Sequence, residues 1–112
     1  MAKLVTIFVL FGGVLMGQNS AASPGNAENG KRLFLQKGCY ECHGTVGQGG
    51  TGPRLAPRPL ALAALTAYIR QPAAAMPPYS SKIMPDPEVA DVRAYLATIP
   101  EPPSVKNLPL LN

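Results

Sequence analysis

Cys39-Tyr40-Glu41-Cys42-His43 contains both cysteines and the single histidine of a 112-residue chain. Two thiols separated by two residues, followed at once by an imidazole, have the spacing that attaches a c-type haem. Each thiol adds to one vinyl group of the porphyrin, and the loop between them spans the distance between those vinyls. The adjacent imidazole is then held beneath the iron as its proximal axial ligand. Rival chemistries fit less well. A redox-active dithiol needs a surrounding strand-helix-strand pattern, and none is visible. Zinc needs four ligands at tetrahedral distances, and here Cys42 and His43 are adjacent with only one further thiol. An exported protein with two cysteines can also form one disulfide, but the histidine directly after Cys42 favours haem.

The opposite side of such an iron needs its own ligand, or is left open. With no second histidine in the chain, a two-imidazole site within one chain is excluded. Methionine is more often a gap-filling core residue than a ligand. Met1 and Met16 lie in the apolar start of the chain, which leaves Met76 and Met84. Met76 is preferred because residues 77–85 then return the chain to the helix start at Asp86, whereas Met84 is too close to that start to reach far. Met84, or an open site, stays as the alternative. Thioether ligation would favour Fe(II), raise the potential relative to two imidazoles, and block oxygen or peroxide. Tyr68, Tyr79, Arg54 and Arg58 are candidate contacts for the haem propionates, since arginine suits carboxylates through paired donors. Each is also readable as an ordinary rim residue. With His43 assigned to iron, no constellation of nucleophile, base and orienting group remains.

Length and charge limit what surrounds this site. The chain is one small domain at most. Lys3, the apolar run Leu4–Met16 and the small residues Ser20-Ala21-Ala22 have the layout of an export signal cleaved after Ala22. The run is short for a membrane span, which takes about 20 residues; an uncleaved membrane anchor is the alternative. The domains expected are thus a signal peptide at 1–22, a monohaem domain at 23–100 and a proline-rich tail at 101–112. Without the leader, nine basic residues face six acidic ones, a net of +3. No Lys/Arg block occurs and the aromatics do not interleave with basic residues, so nucleic acid is not an expected partner. A chain this small makes a thin core, with no tryptophan at all, and a flat apolar cofactor would supply interior.

Three helices and no strand are expected to position the site. The first runs over 27–37, with Asn26 as N-cap and Glu28 at the positive end of the dipole. Gly30, Leu33, Phe34 and Lys37 fall on neighbouring faces. Gly38 stops it and releases the chain into the cysteine loop. Residues 44–57 hold five glycines and end on proline, so they form no regular element; glycine there also lets backbone lie close against a ring. The second helix is expected over 59–70, with Pro59 in its first position, Leu62, Leu65 and Ile69 on one face, Tyr68 near it, and Pro72 ending it. Residues 71–86 are irregular. The third helix is expected over 87–99, with Asp86 as N-cap, Pro87 in the first turn, and Val89, Val92, Leu96 and Ile99 recurring at helical spacing with Tyr95 beside them. The tail after Pro100 reads as extended and loosely held.

In this order, over residues 27–99, these features resemble a small class I c-type cytochrome. Gly30 and Phe34 match the first helix of that family, which crosses the last helix at a close glycine contact, and Tyr95 and Leu96 match its partner positions. Gly52-Pro53-Arg54-Leu55 resembles the segment whose proline carbonyl receives the proximal imidazole's hydrogen bond. Met76-Pro77-Pro78-Tyr79 resembles the distal methionine loop. Gly38 ahead of Cys39 is a minor departure. The resemblance implies an all-α, cytochrome c-like fold with three main helices around one covalently attached haem. It implies haem contacts from Cys39, Cys42, His43, Pro53, Leu55 and Met76, with His43 and Met76 on the metal.

The expected function is a periplasmic electron carrier rather than an enzyme, with one haem edge reachable by redox partner proteins. Two other readings are retained. One is a cytochrome subunit of a membrane-associated dehydrogenase or oxidase complex, motivated by the leucine-ended tail and by the leader if it is uncleaved. The other is a haem sensor or peroxidase-like protein with an exchangeable sixth ligand.

Overall fold

A computed structural model describes residues 24–107 and 109–111. The expected leader, 1–22, lies outside the described residues. Among the described residues four α-helices occur: α1 (Ala27–Gln36), α2 (Cys39–His43), α3 (Leu62–Arg70) and α4 (Asp86–Thr98). Among the described residues there is no strand, and no helix is long and apolar enough to cross a membrane.

α1 starts where its cap dictates. Asn26 is extended (φ −86°, ψ 109°), and its side chain accepts from the Asn29 amide, satisfying one of the four amides a helix start leaves unpaired. Asp91, on α4, reinforces this start. Its carboxylate accepts from the Asn26 amide at 2.6 Å and from Asn29 Nδ2 at 2.7 Å. At the other end Gly38 takes the left-handed conformation, φ 78°, and the chain turns straight into α2. The cysteine segment is therefore helical, not the loop expected. Hydrogen bonds from the Glu41 amide to Gly38 and from the Gly44 amide to Tyr40 close that single turn.

α1 and α4 pack directly on each other, backbone nearly touching backbone. A Cβ added at Gly30 would lie 1.9 Å from the Asp91 carbonyl oxygen, and one at Gly25 would lie 2.1 Å from that of Ala90. Around this crossing lie Leu33 and Phe34 from α1 and Val89, Val92, Tyr95 and Leu96 from α4, all buried. The Phe34 and Tyr95 rings meet at 5.6 Å between centroids, tilted by 58°, a geometry that adds about 0.5–1.5 kcal/mol beyond area burial. Leu65 and Ile69 of α3, with Ala56 and Met84, complete the core.

Two helix starts differ from expectation. α3 begins at Leu62 rather than Pro59. Arg58 precedes a proline and is biased away from the helical region, and the Leu60 carbonyl is taken by Arg93 Nε at 2.8 Å. α4 begins at Asp86, with Pro85 in the cap position and no side-chain cap. The Asp86 carboxylate instead pairs with Arg70 at 2.6 Å, so Asp86 is the first residue of α4 and not its N-cap. Tyr68 is exposed, off the buried face of α3. The tail folds into two 3₁₀ turns, Val105–Asn107 and Pro109–Leu111, rather than running extended.

Candidate haem-binding site

α2 carries Cys39, Cys42 and His43 on one turn, so the two thiols and the imidazole are set by a single short element. Both cysteines are free thiols; Cys39 is half-buried and Cys42 exposed. Burial pushes the Cys39 thiol above its ordinary pKa, partly opposed by a backbone hydrogen bond and by a hydrogen bond with the Tyr79 side chain. His43 is buried, 7% exposed. Its Nδ1 lies 2.8 Å from the Pro53 carbonyl oxygen. A carbonyl only accepts, so Nδ1 carries the proton and the Nε2 lone pair is left for a metal. Such a second contact fixes ring orientation and raises the basicity of the coordinating nitrogen.

The glycine-rich segment after His43 is irregular but tightly tied. The Gly49 amide donates to the His43 carbonyl at 2.8 Å, and the Gly52 amide to the Cys42 carbonyl at 2.8 Å. The Leu55 and Ala56 amides both donate to the Gly47 carbonyl, at 2.8 and 3.1 Å. Gly52 is glycine for a local reason. A Cβ there would sit 2.8 Å from His43 Cε1 and 2.9 Å from Nδ1. Pro53 is thereby delivered to the imidazole edge, and Leu55 packs half-buried against the core. Tyr95 joins this segment to α4, its hydroxyl donating to the Thr45 carbonyl at 3.1 Å.

The segment 71–85 carries the two candidate methionines, and their environments differ. Met84 is 3% exposed and belongs to the hydrophobic core. Its amide donates to the Ser80 carbonyl at 2.9 Å. Met76 is only half-buried, at the margin of that core. Tyr79, three residues on, donates its hydroxyl to the Lys37 carbonyl at 2.6 Å. Burial pushes its phenol above the ordinary tyrosine pKa, and the neighbouring Cys39, Cys42 and Glu41 push the same way. Tyr79 is thus occupied at the end of α1.

The remaining rim candidates are dispersed. Arg58 pairs with Glu101 at 3.0 Å, both well exposed, a surface pair worth about 0–1 kcal/mol. Arg54 is also exposed, close to the Arg58–Glu101 pair. Sequence reading missed Arg70, Lys37 and Asp91, which anchor loops and helix ends here. Their partners lie up to 65 positions away, and no local spacing signals that.

The donor set fits a c-type haem. Two free thiols and a buried imidazole share one turn, and the imidazole is oriented with its coordinating nitrogen left bare. Among the described residues no group of three or more His, Cys, Asp or Glu side chains is placed to hold a metal ion.

Residues 25–96 match the family model described as cytochrome c oxidase, cbb3-type, subunit III. The chain is also 32% identical over 99 residues to the cytochrome c subunit of 4-cresol dehydrogenase [hydroxylating] from Pseudomonas putida, covering 88% of this chain and 85% of that one. No solved structure matches significantly.

Proposed function

Since the chain belongs to the c-type cytochromes, the family represented by those matches, and is a haem electron carrier, we propose that it carries one haem bound covalently through Cys39 and Cys42, with His43 and Met76 as axial ligands, and works in the periplasm. The observation that carries this reading is the buried His43, held through Nδ1 by the Pro53 carbonyl at 2.8 Å, on the same turn as two free thiols. When bound, the group supplies a one-electron Fe(III)/Fe(II) couple.

The chain's own residues do the rest. Cys39 and Cys42 tether. The Pro53 carbonyl and the backbone at Gly52 keep the imidazole from rotating. Met76 would supply the second protein ligand, and with that position taken small oxidants would not bind, so the site would pass electrons rather than bind substrate. Burial of Met84 supports this assignment, because a residue seated in the core under the loop is committed to packing. Absorption spectra of the intact holoprotein test it. A far-red thioether-to-ferric band and slow CO binding by the reduced protein are expected; rapid CO binding at neutral pH would overturn the assignment in favour of a sensor or peroxidase-like site.

A second reading, a cytochrome subunit of a dehydrogenase, is favoured by the named relative, itself a cytochrome c subunit of such an enzyme. Exposed apolar residues in the tail, Val105 and Leu110, add to it. Co-purification of the native protein with a dehydrogenase, lost on deleting residues 101–112, would establish the complex. Monomer in a periplasmic extract, with a mass beginning at Ser23, would establish the free carrier.

A further inference from the structure

Tyr79 ties the segment 71–85 to the end of α1 and to α3, and through Arg70 it is linked to the start of α4. Its side-chain hydroxyl donates to the Lys37 carbonyl, just past the end of α1, at 2.6 Å. Its amide donates to the Ile69 carbonyl near the end of α3 at 2.8 Å. Its own carbonyl accepts from Arg70 Nη1 at 2.8 Å, and the same guanidinium reaches Asp86, the first residue of α4, at 2.6 Å. Each contact uses a group that a helix end leaves unpaired or that a loop must satisfy. Lys37 is the C-cap residue of α1, immediately before the turn that carries Cys39. Tyr79 thus fastens the loop bearing Met76 to the junction of α1 and α2, two residues before Cys39. Lys37 adds one more tie, its Nζ donating to the Ile83 carbonyl at 2.6 Å.

We infer that Tyr79 is a positioning residue for the sixth ligand: its hydroxyl bond to the Lys37 carbonyl latches the distal loop and sets how often Met76 leaves the metal. This rests on the Met76 assignment proposed above. The loop makes no regular hydrogen-bonded element of its own, so its closed state depends on these few anchors. Opening is a local event, with a free energy below that of global unfolding. An incoming ligand binds only the open fraction, so its apparent affinity reports the latch directly.

The test uses the haem-loaded protein and two probes, imidazole on the ferric form and CO on the ferrous form. In Tyr79→Phe the ring stays and one hydrogen bond is lost. Apparent imidazole affinity, read from loss of the far-red thioether band, should rise roughly two- to tenfold, with CO binding faster by a similar factor. Arg70→Gln, which frees the Tyr79 carbonyl, should move both readouts the same way. Val92→Ala, buried at the α1–α4 crossing, should lower the unfolding midpoint yet leave both probes as in wild type. Tyr79→Phe behaving as wild type, or Val92→Ala shifting the probes as far as Tyr79→Phe, would overturn the latch. A wild-type protein that lacks the thioether band would overturn the Met76 assignment and the latch with it.

Discussion

Gly30→Ala isolates the helix crossing on which the site is built. In a free helix this change stabilises, because glycine is about 1 kcal/mol worse than alanine in a helix interior. Here the added Cβ would meet the Asp91 carbonyl oxygen at 1.9 Å, its carbon at 2.4 Å and the Val92 amide nitrogen at 2.9 Å. All three are backbone atoms of α4, so no side-chain rotation relieves the contact. Reaching an ordinary separation moves the two helices apart by more than about 1 Å, which loosens packing among Leu33, Phe34, Val92, Tyr95 and Leu96. Overpacking of this kind costs about 1–3 kcal/mol and sometimes more. The two Asp91 bonds to the start of α1 sit beside the crossing and add about 0.5–1.5 kcal/mol each if they break. The net expectation is a destabilisation of about 1–5 kcal/mol after the propensity gain of about 1 kcal/mol is subtracted. Urea unfolding of the haem-loaded protein, followed by far-UV circular dichroism, measures it. For a domain of this size the thermal midpoint should fall by roughly 4–40 °C. A variant as stable as wild type, or more stable, would show that propensity wins and that α1 and α4 do not touch at Gly30.

Four further outcomes are expected. Met84→Ala should cost about 2–5 kcal/mol in stability, as expected for a buried core methionine, without opening a CO site. Met76→Ala should instead open one and lower the reduction potential, and an exchange of those two results would reassign the sixth ligand. Gly52→Ala presses a methyl group onto the imidazole and should weaken the Nδ1–Pro53 bond. A less basic His43 stabilises Fe(III) less, so voltammetry should show a potential raised by roughly 20–65 mV, the equivalent of about 0.5–1.5 kcal/mol for one hydrogen bond; an unchanged or lowered value would refute the role given to that bond. Stopped-flow reduction by a partner protein should vary less than about tenfold across ionic strengths at which strongly steered pairs vary 10–10³-fold, because Lys37, Arg58 and Arg70 are already paired with Glu88, Glu101 and Asp86.

The parts of the site that sequence reading reached are those built from short spacings. Cys39, Cys42 and His43 share one turn. Asn26 caps the amide three residues on, and Gly38 turns the chain between α1 and α2. The buried stripe of α4 was legible for the same reason, since helical spacing records which face is covered. Helix starts were less legible where tertiary contacts compete for the cap. Asp86 has the chemistry of an N-cap, but its carboxylate is more strongly held by a charged partner, Arg70, than a neutral backbone amide would hold it. Pro59 suits a first helical position, but Arg93 draws the next carbonyl away from any helix. Asp91 as a brace for α1, and Tyr79 as a brace for the distal loop, depend on pairings across 65 and 42 positions, which no local pattern encodes.

That difference in range divides the two sides of the site physically. On the His43 side, the thiols, the imidazole and the backbone that orients it all lie within residues 39–56, joined by short backbone hydrogen bonds. Closing such short loops costs little entropy, and the arrangement opens only if several of those bonds break together. On the Met76 side, the loop is held by bonds reaching from Tyr79 and Lys37 to elements far along the chain. Each is worth about 1 kcal/mol net, and losing one releases part of the segment without disturbing the α1–α4 core. A carrier needs one ligand that never leaves and a second that changes little between Fe(III) and Fe(II). Under the ligation proposed above, local backbone geometry would supply the first, and the second would depend on a few replaceable side-chain contacts. Substitutions that convert this fold from electron transfer to ligand binding should therefore concentrate at 70, 76 and 79 rather than around His43.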